Sequence, residues 1–157
     1  MNKTTLRVGL AVLAIAAAAF AWYQYRAPRY VVGDVAPDFE VTLADNSHAK
    51  LSDLRGKYVL LQFWGSWCGP CRRENPHLLA LYQKYAPQGF EIFSVGIEQN
   101  PTAWKRAIQQ AGMVWRYHSA DFRSFEGSLA TNFNVKSIPA TFLIDPSGTI
   151  IGVNLES

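Results

Sequence analysis

Tyr58-Val59-Leu60-Leu61-Gln62-Phe63-Trp64-Gly65-Ser66-Trp67-Cys68-Gly69-Pro70-Cys71 decides the fold. Apart from Gln62, its first seven residues are apolar on both faces of an extended chain, as a central strand of a parallel sheet requires. A C-x-x-C pair follows where the strand gives way to a helix. Two sulfurs so spaced can close into a disulfide within one helical turn, and the positive end of the helix stabilises the thiolate, the form that attacks. Cys68 and Cys71 are the only cysteines of the chain. The pair therefore carries the chemistry.

Other uses of the pair are weaker. Zinc calls for further ligands, and His48, His77 and His118 are scattered without paired spacing. No metal is expected. Haem attachment needs a histidine straight after the second cysteine, where Arg72 stands. A purely structural disulfide here would close a very small loop and remove little chain entropy.

Working outward, Glu40–Leu43 alternates like a strand, and Ala44-Asp45-Asn46-Ser47 reads as a turn. Leu51–Lys57 is a short loop or helical turn. Leu78, Leu79, Leu81, Tyr82 and Tyr85 form one stripe of a helix after the motif, which Pro76 should kink. Glu91–Ile97 is a second buried strand. Asn100 caps a helix that starts at Pro101 and runs to about Ala111. Val114–His118 is a short strand candidate, and Ser128–Asn132 ends a short helix. Ala140–Ile144 and Thr149–Leu155 read as a hairpin around Asp145-Pro146-Ser147-Gly148. Strands alternating with helices predict an α/β domain whose central mixed sheet has helices on both faces.

The N-terminus is of another kind. Lys3 and Arg7 precede Val8–Tyr23, sixteen uncharged residues, and Trp22, Tyr23, Tyr25 and Arg26 follow as a membrane boundary would. Sixteen residues span roughly 24 Å of helix, short of a ~30 Å hydrocarbon core unless Leu6 and the aromatic residues extend it. We expect residues 1–26 as a membrane anchor, 27–32 as a linker and 33–157 as the folded domain. The alternative is a signal segment cleaved after Ala19-Phe20-Ala21. Either way the domain lies outside the cytoplasm, where disulfides persist. The net charge of +3 belongs to this segment: without Lys3, Arg7 and Arg26 the chain has 12 basic and 12 acidic residues. Nucleic acid has no electrostatic claim on such a domain.

These residues resemble the thioredoxin superfamily, specifically its membrane-anchored TlpA/ResA-like thiol-disulfide oxidoreductases, over about Val32–Leu155. Phe63–Cys71 with Pro76, Ser137-Ile138-Pro139-Ala140-Thr141-Phe142-Leu143-Ile144-Asp145 and Gly33-Asp34-Val35-Ala36-Pro37-Asp38-Phe39 carry the resemblance. It implies a thioredoxin-like fold, a cis Pro139 facing the sulfurs, and a catalytic Cys68/Cys71 pair. It also implies substrate contacts at Trp67, Gly69, Pro70, Ile138 and Pro139. Protein disulfides or dithiols are the implied partners, with a membrane electron donor and no cofactor. Gly69-Pro70 resembles the reducing thioredoxins, near about −270 mV, more than oxidants near about −120 mV. Reduction of extracytoplasmic protein disulfides is thus expected, with cytochrome c maturation as one pathway. A disulfide oxidase and a redox-responsive binding module are the alternatives.

Three positions depart from the family pattern. Gln62 stands where thioredoxins have a buried aspartate, so proton transfer must use another group, with Glu98 as candidate. Ala140 follows Pro139, where the branch acting on apocytochrome c usually has an acid. Nothing after Ser157 in this sequence supplies the terminal helix of thioredoxins: either the domain is abbreviated or the chain is truncated, and a sheet face left uncovered would expose apolar surface.

Overall fold

The computed structural model describes residues 3–27 and 29–155; Pro28 of the linker and the last two residues, Glu156 and Ser157, lie outside them. Helix α1 (Lys3–Arg26) comes first. A hairpin of β1 (Glu40–Thr42) and β2 (His48–Lys50) follows. Then come β3 (Tyr58–Trp64), α2 (Gly69–Tyr85), β4 (Phe90–Ile97), α3 (Pro101–Gln110) and β5 (Tyr117–Asp121). Helix α4 (Ser128–Asn132), β6 (Ala140–Ile144) and β7 (Ile150–Val153) complete the order.

Five strands form the main sheet in the order β5-β4-β3-β6-β7. Strand β3 is central, parallel to β4 and antiparallel to β6, and β5 continues the parallel side. Its burial on both faces explains the unbroken apolar run. Val59, Leu61 and Phe63 face one core, with Phe93, Phe142 and Phe133. Leu60 and Trp64 face the other, with both cysteines, Leu78 of α2 and Trp104 of α3. Helices α2 and α3 therefore cover one face, while α4 and the β1–β2 hairpin cover the other.

Two elements differ from the expectation. The Glu40 strand does not enter the central sheet; it pairs with His48–Lys50, a strand too short and polar to announce itself. The strand expected at Val114–His118 lies at Tyr117–Asp121 instead. Val114 is exposed and Trp115 is buried from an irregular segment, so apolar character there reported burial rather than pairing. The Asn100 cap is as expected: its side chain accepts from the backbone N–H groups of Thr102 and Ala103, both at 3.0 Å.

Phe133 ties together the core on the α4 side of the sheet. It is fully buried and its ring meets those of Tyr30, Phe39, Phe63 and Phe142. Truncating such a side chain to alanine costs about 3–5 kcal/mol.

Helix α1 has 24 residues, about 36 Å at ~1.5 Å each, enough for a ~30 Å hydrocarbon core. The apolar span runs from Leu6 to Arg26 and none of it is buried in the protein. Its end is held by the folded part. Asn134 donates from Nδ2 to the carbonyl of Ala27 at 2.6 Å and to that of Tyr25 at 3.2 Å. Lys136 Nζ lies 4.9 Å from the centre of the Tyr25 ring. Asn134 has φ 52°, a left-handed conformation that asparagine tolerates better than most residues.

On the α2 side of the sheet, Tyr58, Leu60, Leu143 and Leu155 line an apolar groove of about 380 Å³ with Leu81 and Phe90. It is open to solvent, and Tyr58 is about half exposed.

Candidate active site

Strand β3 ends at Trp64, and Gly65-Ser66-Trp67 turn the chain into α2. Gly65 is required by crowding. A Cβ there would sit 2.9 Å from Trp67 Nε1 and 3.0 Å from Ile138 Cδ1. Cys68 is the N-cap of α2 and Pro70 lies in its first turn, where a missing N–H does no harm. The cap interaction is made by sulfur: the backbone N–H of Cys71 donates to Cys68 Sγ at 3.2 Å. The two cysteines form a disulfide.

Accessibility separates the two cysteines. Cys68 retains 4% of its surface and Cys71 none. Cys68 Sγ lies 3.8 Å from the carbonyl oxygen of Ile138. The Ile138–Pro139 peptide is cis. Pro139 and Pro70 face each other across a groove of about 630 Å³, lined also by Arg73, Glu74, Thr141 and Asn154. Residues distant in sequence, the C-x-x-C motif and the loop before β6, thus converge on one sulfur.

Trp67 is anchored and exposed at once. Its Nε1 donates to the carbonyl of Ile97 at 2.8 Å and its ring meets Phe125 edge-on, yet 56% of the residue stays exposed. An apolar plate held rigid beside a reactive sulfur is suited to contact a partner.

Gln62 is fully buried beneath the motif. Strand register sets His118, Ser94, Gln62 and Thr141 opposite one another on β5, β4, β3 and β6. Ser94 Oγ donates to Gln62 Oε1 at 3.0 Å, and Trp115 Nε1 donates to Ser94 Oγ at 2.9 Å. Gln62 Nε2 has no hydrogen-bond partner among the described residues. His118 stacks on Trp115 and its Nε2 donates to the carbonyl of Met113 at 3.2 Å. Burial pushes its pKa down to about 4, so the ring is neutral.

Two carboxyl groups flank the motif. Glu98, directly after β4, is 99% buried, and both its oxygens accept from Ser66: Oε1 from the backbone N–H at 2.5 Å, Oε2 from the hydroxyl at 3.0 Å. Burial raises its pKa against the lowering effect of these bonds. Glu74 was not picked out from the sequence. It lies three residues after Cys71, on the same face of α2, a spacing that could have found it. Its Oε2 is buried without a partner, and burial raises its pKa. Of the two, Glu74 has an oxygen that meets no hydrogen-bond donor among the described residues.

Among the described residues, no group of three His, Cys, Asp or Glu side chains is placed to hold a metal ion.

The AhpC/TSA family model matches residues 32–153. The chain belongs to that family. The thiol-disulfide oxidoreductase ResA of Bacillus thuringiensis (strain Al Hakam) is 31% identical over 153 residues, covering 96% of this chain and 86% of the relative. ResA of Geobacillus kaustophilus is 36% identical over 119 residues, covering 76% of this chain and 66% of the relative. The thioredoxin domain of a Bacteroides vulgatus thiol-disulfide oxidoreductase superposes with TM-score 0.75 at 29% identity, over 82% of this chain and 91% of that one. A thiol:disulfide interchange protein from a Bacteroides species superposes with TM-score 0.72 at 30% identity, over 80% and 82% of the two chains. The fold is thioredoxin-like and the protein is a thiol-disulfide oxidoreductase.

Proposed function

We propose that this protein reduces disulfides of extracytoplasmic proteins, with Cys68 attacking and Cys71 resolving. The observation that carries the reading is Cys68 at the mouth of α2. Its sulfur accepts a backbone N–H, and the residue keeps the only exposed surface of the pair. Helix-terminal N–H groups favour the thiolate form of Cys68 once the disulfide is reduced.

In the reduced protein the Cys68 thiolate attacks one sulfur of the substrate disulfide, and the other sulfur leaves as thiolate. Cys71 then loses its proton and attacks Cys68 Sγ, which breaks the mixed disulfide and frees the second substrate sulfur. Two electrons pass to the substrate and the Cys68–Cys71 disulfide is left. A membrane dithiol donor returns them. Gln62 cannot take the Cys71 proton, since an amide is no base. Glu74 takes it, while Glu98 positions the Ser66 loop.

Substrate lies along the Pro70–Pro139 groove. The backbone of Ile138 pairs with it as an added strand, with Gly69 and Trp67 on its flank. Pro139 offers no N–H that could compete with that pairing.

Residues 1–26 anchor the chain, 27–32 link, and 33–157 form the catalytic domain on the periplasmic side. The length of α1 and the bonds from Asn134 to its last turn support an uncleaved anchor over a secreted domain. Cytochrome c maturation is a pathway open to such a reductant, although Ala140 lacks the acid of the branch dedicated to it.

Redox titration against glutathione and insulin reduction with dithiothreitol test the direction. A potential near about −270 mV with accelerated insulin precipitation is expected. A potential above about −120 mV would make the protein an oxidase. No acceleration over dithiothreitol alone would make it a binding module.

A further inference from the structure

Helix α2 turns about 100° per residue, so Pro70, Arg73 and Glu74 point to one side while Arg72, Asn75 and Pro76 point to the other. The first set lines the groove that faces Pro139. The second set opens on a separate pocket of about 380 Å³ between α2 and α3, whose rim includes Ser66 and whose far wall carries Arg106 and Gln110.

Asn75 sets this pocket apart from an ordinary crevice. The residue is 99% buried, yet neither its Oδ1 nor its Nδ2 has a hydrogen-bond partner among the described residues. A buried amide left wholly unpaired destabilises a fold, and such groups are rare unless something else completes them. Arg72 and Arg106 stand over the same space. No carboxylate lines the pocket, and among the described residues neither guanidinium is in an ion pair. Both are exposed and free to close on a ligand.

The position relates the pocket to the sulfurs. Ser66 is two residues before Cys68, and Arg72 follows Cys71, its N–H donating to the Cys68 carbonyl at 3.1 Å. A polypeptide whose disulfide reaches Cys68 has chain on both sides of it. One side fits the Pro139 groove and the other reaches this pocket.

We propose that the pocket between α2 and α3 is a second substrate subsite, which takes an acidic side chain flanking the substrate's disulfide. The carboxylate sits between Arg72 and Arg106, where guanidinium geometry suits two-point binding. The Asn75 amide donates to it and accepts a backbone N–H of the same segment. This reading rests on the proposed disulfide reductase activity and names a substrate preference for it.

The test uses the full chain, reduced, in detergent micelles. Two disulfide-linked peptides are compared, identical except for Glu or Gln at the two positions beside the cystine. At low ionic strength the Glu peptide is expected to react roughly fivefold faster, the scale of a modest ion-pair gain, and 0.5 M salt should erase most of the difference. In Arg106→Gln the ratio of the two rates is expected to fall to about one. Asn75→Leu, checked for folding by its melting curve, should lower the ratio as well. Equal rates for the two peptides with the unmodified protein would overturn the proposal and mean that water alone occupies the pocket. A ratio surviving in Arg106→Gln would overturn it too, by placing the preference elsewhere. Should neither peptide be reduced, the reductase reading itself fails and the subsite falls with it.

Discussion

One residue, Ser66, satisfies both carboxylate oxygens of Glu98. The pair fastens the turn that delivers Cys68 to the end of β4. Positioning and proton transfer make opposite demands on a substitution here. Glu98→Gln keeps an acceptor for the Ser66 N–H and a group that can meet its hydroxyl. Glu98→Ala keeps neither. We expect insulin reduction to fall roughly tenfold in the alanine variant, the cost of about one charged hydrogen bond, and to be largely restored in the glutamine variant. Equal loss in both would make Glu98 the proton acceptor.

Glu74 should behave the other way. Its buried free oxygen and raised pKa suit it to receive the Cys71 proton. Glu74→Gln should leave Cys68 alkylation by iodoacetamide unchanged and slow the release of substrate from the mixed disulfide, most visibly below neutral pH. An unchanged release rate would send the proton to solvent.

His118 governs stability in weak acid. Its folded pKa of about 4 lies below the usual 6.5. Between these values the unfolded chain takes up a proton that the native ring refuses. Stability is therefore complete above 6.5 and lost as pH falls towards 4, by about 3 kcal/mol from this group. Glu74, Glu91 and Glu98, raised by burial, oppose it: their native forms hold protons more readily, so their contribution is complete below 4.5 and declines as pH rises above it. Comparison with His118→Phe isolates the histidine. Urea unfolding at pH 4 to 7 should show a slope in the native protein that is flatter by that amount in the variant. Parallel curves would mean the ring is not held neutral.

Pro139 faces Pro70 beside the sulfurs, and the carbonyl of Ile138 touches Cys68. Pro139→Thr brings an N–H and a hydroxyl into that contact. The expected result is a folded protein with slower turnover and accumulated mixed disulfide. Unchanged insulin reduction would count against docking along this loop.

The site was legible in the sequence wherever one local motif defined it. The run to Trp64, the two cysteines and the Asn100 cap each signal through neighbours a few residues apart, and the structure places them as read. What needed three dimensions was hidden. His48–Lys50 is a strand only because Glu40–Thr42 lies beside it. Gln62 could be seen to replace an acid, but its bond to Ser94 comes from strand register. Glu98 stands out in the sequence as an acid at a strand end and a candidate for proton transfer, but its burial and its two bonds from Ser66 are set by the fold. Asn75 carried no signal at all, since an asparagine on a helix is ordinarily solvated and only its burial makes it conspicuous.

Trapping in single-cysteine variants separates Cys68 as the attacking sulfur from Cys71 as the resolving one. Cys71→Ser and Cys68→Ser, each reduced, are mixed with a disulfide-bonded protein substrate, quenched with acid and mapped by mass spectrometry. A stable mixed disulfide is expected at Cys68 in the Cys71→Ser variant, and little or none at Cys71 in the other. A faster or more abundant adduct at Cys71 would contradict that assignment.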